Sequence, residues 1–233
     1  MTQGKDMTSQ QYEIEIKSLL GNKEKATALV AKMRELDPET KVFDESIQLN
    51  HYFVGGDVEK IFTNIIHHIV PEKIEAFKKA LYEGKNISVR TRKSNDKVLF
   101  VVKASIDDTT SSNGTARIEF ETEIPALSLD ALDAFLLDAG CSYQAKWSRD
   151  RKEYIFKDIV VCIDHNAGYG YLAELEKIVE SGEEAEAVKR DLREIMQTLG
   201  IEELSQDRLE RMFAYYNEHW SEYYGTDKTF TIL

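Results

Sequence analysis

Charged residues recur at every second position in several stretches of this chain. Glu13, Glu15 and Lys17 alternate with Tyr12, Ile14 and Ile16. Arg117, Glu119, Glu121 and Glu123 alternate with Ile118, Phe120 and Ile124, and Glu174 and Glu176 repeat the first arrangement later. Arg90 and Arg92 form a spaced basic pair, as do Arg149 and Arg151; Lys103 and Asp164 complete the set. Successive side chains of a strand point to opposite faces, so each stretch is apolar on one side and charged on the other. Crowded carboxylates repel and raise each other's pKa, and a hard divalent cation such as Mg²⁺ relieves that repulsion. Crowded arginines and lysines call for a polyanion, and arginine grips phosphate oxygens with paired hydrogen bonds. Two such sets facing one another suit a metal–polyphosphate complex. The bland alternative is a set of wet sheet faces laced with surface salt bridges. Three Glu-x-Glu patterns and Arg90-x-Arg92 on expected strands, with Arg149-x-Arg151 bordering two more, argue for a barrel with a polar lumen instead.

The elements that must carry these residues follow from periodicity and breakers. After the first strand a helix is expected over 22–36, stopped by Asp37-Pro38, then a strand over 41–54 ended by Gly55-Gly56. Short amphipathic helices are expected over 58–68 and 71–82, the second with Pro71 in its first turn. His67 and His68 are adjacent there, point in different directions, and make a poor shared metal site. Segments 85–93 and 97–105 read as a hairpin, a polar loop spans 107–114, and a strand runs over 115–124. Ser128 is placed to cap a helix through Ala139. Strands are expected over 142–148, 152–156, 159–164 and 171–178, and helices over 183–199 and 205–224. That gives eight or nine strands and an α+β fold, built around a meandering antiparallel sheet that closes.

Composition excludes several classes. The chain has 233 residues and a formal net charge of −12, which disfavours nonspecific nucleic-acid binding and anionic membrane surfaces. No run approaches the roughly 20 apolar residues of a membrane span. Residues 1–9 are polar and expected to be disordered. The two cysteines, Cys141 and Cys162, sit in apolar surroundings and read as buried free thiols, which points to a cytoplasmic protein.

Glu13-Ile-Glu15-Ile-Lys17 resembles the Glu-x-Glu-x-Lys signature of the CYTH, or triphosphate tunnel metalloenzyme, family. Val89-Arg90-Thr91-Arg92 is similar to its Arg-x-Arg strand, and Lys103 to the lysine that closes the next one. Ile118-Glu119-Phe120-Glu121 resembles its central acidic strand. Arg149-Asp-Arg151-Lys-Glu-Tyr154 resembles a later basic strand, with arginine where lysine is more usual. Asp164 followed by Gly168-Tyr-Gly170 and Glu174-Leu-Glu176 resembles the closing aspartate, glycine turn and Glu-x-Glu. These motifs stand in order over roughly residues 12–177. The resemblance implies a closed eight-stranded antiparallel β-barrel, a triphosphate tunnel, with helices packed outside. It implies a tunnel domain over 10–180; a helical insertion at 57–83 and a C-terminal helical extension, 181–233, expected to pack on the barrel, are additions to it. By position, Glu13, Glu15, Glu174 and Glu176 would hold Mg²⁺ or Mn²⁺, with Asp164, Glu119 and Glu121 as further ligands. Lys17, Arg90, Arg92, Lys103, Arg149 and Arg151 would hold phosphate oxygens, and Glu13, Glu15 and Lys17 would be catalytic.

Departures from the pattern bear on function. The helical insertion is longer than usual and reads equally as a lid over a tunnel mouth or a contact surface. His165-Asn166-Ala167 replaces acidic residues, with His165 expected to face solvent. The face formed by Tyr215, Tyr216, Trp220, Tyr223 and Tyr224 reads as packing over the outside of the barrel, with an oligomer contact as the other choice. The partner is a triphosphate-containing small molecule, and the chain is a monomer or homodimer. Three activities fit. The first is metal-dependent hydrolysis of inorganic, nucleoside or thiamine triphosphate. The second is a class IV adenylyl cyclase, and the third a non-catalytic polyphosphate-binding module. Ser9-Gln10-Gln11 stands where the family's cyclases often carry His-Phe, which favours hydrolysis; His51-Tyr52-Phe53 resembles a region of the cyclase-like branch. A complete acidic set disfavours the silent binder.

Overall fold

The alternation of apolar and charged residues is satisfied by a single ring of strands. A computed structural model describes residues 12–105 and 116–232. The expected disordered segment 1–9, Ser9-Gln10-Gln11 and the expected polar loop 107–114 lie outside the described residues. The strands are β1 (Tyr12–Gly21), β2 (Lys41–Gly55), β3 (Lys85–Ser94), β4 (Lys97–Ser105), β5 (Ala116–Glu123), β6 (Cys141–Phe156), β7 (Ile159–Asn166) and β8 (Gly170–Val179). All neighbours are antiparallel. The order β1-β5-β4-β3-β2-β6-β7-β8 returns on itself, because β1 pairs with both β5 and β8. The α+β class with eight antiparallel strands is thus as expected.

Six helices surround the sheet: α1 (Lys23–Leu36), α2 (Val58–Ile66), α3 (Ile74–Tyr82), α4 (Leu129–Asp138), α5 (Ala185–Leu199) and α6 (Gln206–Tyr223). Side chains of Asn22, Asp57 and Ser128 accept hydrogen bonds from Lys25, Lys60 and Ala131 amides, satisfying otherwise unpaired donors at three helix starts. Among the described residues no helix is long and apolar enough to cross a membrane. Cys141 and Cys162 are buried free thiols, as expected.

Hydrophobic cores lie outside the ring. Ile14 and Ile16, facing away from Glu13 and Glu15, are fully buried with Leu29 and Met33 of α1 and Leu192 of α5. On another side Phe77 of α3 and Leu132 of α4 bury the outer faces of β4 and β5 through Phe100 and Phe120. Asp133 of α4 ties this layer to the sheet. Its carboxylate accepts from Thr91 Oγ1 at 2.5 Å and Tyr143 Oη at 2.7 Å, and lies 2.6 Å from His51 Nδ1. His51 Nε2 is 2.8 Å from the Tyr224 hydroxyl, so the end of α6 joins the same network. Burial would raise the Asp133 pKa, but hydrogen bonds from His51, Thr91 and Tyr143 hold it below its ordinary value.

Several expectations need correction. The two strands expected over 142–148 and 152–156 are one, β6, because Arg149 and Arg151 continue the inward alternation across the charged stretch. The helix expected over 58–68 stops at Ile66, leaving His67 exposed and the His68 ring 5.2 Å from Phe135. Pro71–Lys73 and Gly182–Glu184 form 3-10 turns ahead of α3 and α5. His165 is half-buried and stacks on Tyr171 with centroids 4.7 Å apart.

The aromatic face of α6 covers one end of the ring through Tyr216 and reaches its outer wall through Trp220 and Tyr224, beside Lys146 and His51. Trp147 faces inward with Arg149 and Arg151, and its ring stacks on Tyr216, centroids 3.6 Å apart. Tyr216 is fully buried and donates to the Lys146 carbonyl at 2.9 Å. Leu204 donates its amide to the Lys17 carbonyl at 2.7 Å, holding the start of α6 against β1. Gly168 exchanges backbone hydrogen bonds with Lys228 and Phe230. Its φ of +84° suits glycine, and an added Cβ would meet the Tyr216 ring at 2.7 Å.

Tyr216→Ala is expected to lower stability by about 3–5 kcal/mol, the range for emptying a buried aromatic site. Tyr216→Phe, which removes only the hydrogen bond, is expected to cost about 1 kcal/mol. Urea unfolding followed by tryptophan fluorescence checks both; equal effects of the two substitutions would contradict this packing.

Candidate functional site

Closing the ring turns period-2 alternation into an enclosed charged surface. β1 supplies Glu13, Glu15 and Lys17, β3 supplies Arg90 and Arg92, and β4 supplies Lys103. Glu119 and Glu121 come from β5, Arg149 and Arg151 from β6, Asp164 from β7, and Glu174 and Glu176 from β8. All of these except Glu121 and Asp164 line one cavity of about 810 Å³. Val58, Ile61 and Leu81 of the α2–α3 region line the same cavity, and so does one face of α6, through Gln206, Leu209, Glu210, Phe213 and Asn217.

The charges divide into two regions. In the first, strand register sets acids beside bases. Lys17 opposes Glu174 across β1 and β8, and its Nζ lies 2.8 Å from Glu15 and 3.2 Å from Glu174. Lys103 opposes Glu119 and reaches both Glu119 and Glu13 at 2.8 Å. Arg151 holds Asp164 at 2.7 Å, contacts Glu174, and lies 3.7 Å from Glu176. Burial works against ionising Glu15, but Lys17 brings its pKa below the ordinary value. Glu174 follows the same logic, with burial overcome by Lys17, Arg151 and Arg149. Desolvation of Lys103 is outweighed by Glu119, Glu13 and Glu15, which keep it protonated far above its usual range.

One carboxylate is not compensated. Glu15 and Glu176 are direct cross-strand neighbours. Glu13, Glu15 and Glu176 each present an oxygen within 4.8 Å of the others. Burial pushes the Glu176 pKa well up; Arg151 pulls it down, while Glu174, Glu13 and Glu15 push it further up. Three hard oxygen donors gathered within 4.8 Å, one of them held well above the ordinary carboxylate range by burial and its neighbours, match the donor chemistry of a Mg²⁺ or Mn²⁺ site. The other expected metal ligands fall outside this group of three, each against a base. Asp164 is clamped between Arg149 and Arg151, Glu174 between Lys17 and Arg151, Glu119 sits on Lys103, and Glu121 pairs with Arg92 at 2.8 Å.

The second region carries a positive surplus. Arg90 makes no ion pair among the described residues; its Nε donates to Ser88 Oγ at 3.1 Å and its guanidinium lies 4.2 Å above the Tyr52 ring. Arg92 donates to Asn50 Oδ1 at 2.6 Å, and Arg149 donates to Gln48 Oε1 at 2.8 Å. Tyr52 registers the resulting field. Burial raises its phenol pKa, yet Arg90, Arg149, Arg92 and Lys103 together bring it below the ordinary value. Sequence reasoning passed over Gln48, Asn50 and Tyr52. The signal was present as the polar alternation Ser46, Gln48, Asn50, Tyr52 along one strand, but it lacks charge. The α6 contribution had no strand-type signal at all.

Residues 76–209 match the family model described as the CYTH domain. The matched span takes in β3 to β8 and leaves β1 and β2 outside. No curated protein matches the chain by sequence. Among solved structures, the chain is similar to the protein PH1819 of Pyrococcus horikoshii OT3, with 20% identity and a TM-score of 0.57 over 86% of this chain and 99% of that one. A conserved protein of Pyrococcus furiosus shows 18% identity and a TM-score of 0.57 over 82% and 91%. A protein of Vibrio parahaemolyticus provisionally named an adenylate cyclase shows 14% identity and a TM-score of 0.56 over 88% and 98%. At these identities the likeness is one of fold.

A glutamate whose pKa is raised by folding binds its proton more tightly folded than unfolded. Its stabilising contribution is therefore full below the ordinary glutamate range and is lost as pH rises toward the raised folded value. Glu15 and Glu174, held low, lose theirs in the opposite window, as pH falls below that range. With chelator present, the melting temperature is expected to fall as pH rises above the ordinary glutamate range, and Glu176→Gln is expected to flatten that fall. Parallel profiles for the two proteins would show that Glu176 is not the strained group.

Proposed function

The chain belongs to the CYTH family, and we propose that it hydrolyses a triphosphate in a divalent-metal-dependent reaction inside the charged ring. The observation that carries this reading is the pairing of three clustered carboxylates, Glu13, Glu15 and Glu176, with an arginine surplus in one cavity. A pure anion binder has no use for three carboxylates gathered together; a metal-only site has none for Arg90, Arg92 and Arg149.

In this reading Glu13, Glu15 and Glu176 hold Mg²⁺ or Mn²⁺, which when bound offsets phosphate charge and lowers the pKa of a coordinated water. Arg90, Arg92 and Arg149 bind non-bridging oxygens of the phosphate chain, and Arg90 keeps its orientation through Ser88 and the Tyr52 ring. Lys103 and Lys17 lie between carboxylates and extend the cradle toward the triad. Water adds to a phosphorus atom, the bond to its bridging oxygen breaks, and the water's proton passes to a carboxylate of the triad. The leaving phosphate carries away the bridging oxygen, its new charge met by the guanidinium groups. Fixed charges already in place supply stabilisation without reorganisation, the main thing a protein offers phosphoryl transfer. Asp164, Glu174, Glu119 and Glu121 act as counter-ions that fix the bases rather than as ligands.

The test is a product assay with Mg²⁺ and with Mn²⁺, supplying ATP and inorganic triphosphate separately. Orthophosphate release abolished by chelator is the expected result; cyclic AMP with equimolar pyrophosphate would replace this reading by the cyclase. Glu13→Gln and Glu15→Gln are expected to lower turnover by about 100-fold, with partial rescue by excess Mn²⁺. Arg90→Ala is expected to weaken substrate affinity by about tenfold or more, without metal rescue. Full activity of the Glu13/Glu15 double glutamine variant would rule out the tunnel-metal reading.

A further inference from the structure

Behind the phosphate cradle, on the outer face of the ring, sits a carboxylate that helix packing does not require. Leu132 and Leu136, both fully buried, already anchor α4 in that layer. Beside them Asp133 is 2% exposed, where an ionised group is costly to hold without partners. It takes three donors: Thr91 Oγ1 at one oxygen, and His51 Nδ1 and Tyr143 Oη at the other. An ionised carboxylate only accepts, so Nδ1 of His51 carries a hydrogen, and a neutral ring then accepts from Tyr224 Oη at Nε2.

The partners share one place in the sheet. His51 and Thr91 face each other directly across β2 and β3. Their chain neighbours point the opposite way, into the ring. There Arg92 opposes Asn50 and donates to its Oδ1 at 2.6 Å, and Arg90 opposes Tyr52 and lies over its ring. The outer pair thus stands back to back with the two inner pairs that aim the arginines. Tyr143 adds β6, the strand on the other side of β2. Apolar burial is non-directional and leaves the angle between strands and helix loosely fixed. Hydrogen bonds fix it, because they weaken steeply when misaligned. Groups that grip a substrate have to stay within about 0.5 Å of their working geometry.

Building on the triphosphate reading, we propose that Asp133 is a positioning residue for the phosphate cradle. From outside the ring it fixes the His51–Thr91 pair, and that pair sets the inward angle of Arg90 and Arg92. It acts through geometry, because its own negative charge disfavours an anion in the cavity.

Calorimetric titration of the full chain with inorganic imidotriphosphate in Mg²⁺, well below each variant's melting temperature, tests this. Thr91→Val keeps the side-chain shape and removes the hydroxyl; it is expected to weaken binding by about three- to tenfold. Asp133→Ala is expected to weaken binding by about tenfold or more. Asp133→Asn, able to pair with the same three groups, is expected to recover most of that loss. Leu136→Ala is the control: it loosens α4 without touching the carboxylate, so the melting temperature falls while affinity stays within about twofold. Where Asp133→Ala does not fold, Thr91→Val decides. Unchanged affinity in folded Thr91→Val would overturn the proposal. So would equal weakening by Leu136→Ala, or a loss in Asp133→Asn as large as in Asp133→Ala. Failure of the wild-type chain to bind imidotriphosphate would overturn the triphosphate reading itself.

Discussion

The rest of this structure depends on enclosing charge. A closed ring leaves each strand one face inside and one outside, and here the inside face is ionic. Taking a carboxylate or ammonium out of water costs several kcal/mol per ion, and opposite charges in good geometry do little more than offset that. The interior therefore contributes little net stability. Stability has to come from the outer faces, which is where Ile14, Ile16, Phe77, Phe100 and Leu132 are fully buried against helices. Helices around the ring are in that sense what permits an interior given over to binding.

Within the ring the charges are distributed, not merely mixed. Lys17, Lys103 and Arg151 each contact two or more carboxylates. Arg90 is left to a serine and an aromatic ring, and Asp164 is shared by two guanidinium groups. Moving from the triad toward Arg90 and Arg149, the imbalance changes sign. A chain molecule of alternating charge demands, metal at one place and phosphate oxygens along its length, is the natural complement of that gradient.

Much of this was legible in the residues, because period 2 and charge together specify strands with an ionic face. The fifteen charged positions named at the outset all fall on strands, and most line one cavity. What spacing could not resolve was which carboxylates are spent on neighbours. Asp164 and Glu174 look like ligands in the sequence, but strand register sets them beside Arg151 and Lys17, and register is a property of pairing. The continuity of β6 was hidden by Arg149-Asp150-Arg151, which reads as a polar break until the inner face is known to be polar. The destination of α6 was hidden for a different reason: an aromatic stripe signals burial but not against what. Asp133 carried no signal, since one acid on a helix is ordinary until its buried partners are seen.

The register of β1 against β8 has a consequence for how the molecule comes into being. Glu15 and Glu176 become neighbours only when the first strand of the ring meets the last. Contacts between distant parts of a chain are slow to form, because loop-closure entropy is lost before they repay it. The carboxylate triad sits on that seam, so its mutual repulsion opposes the closing step itself. Until those strands meet, Glu176 is apart from Glu13 and Glu15, and the group of three belongs to the closed ring alone.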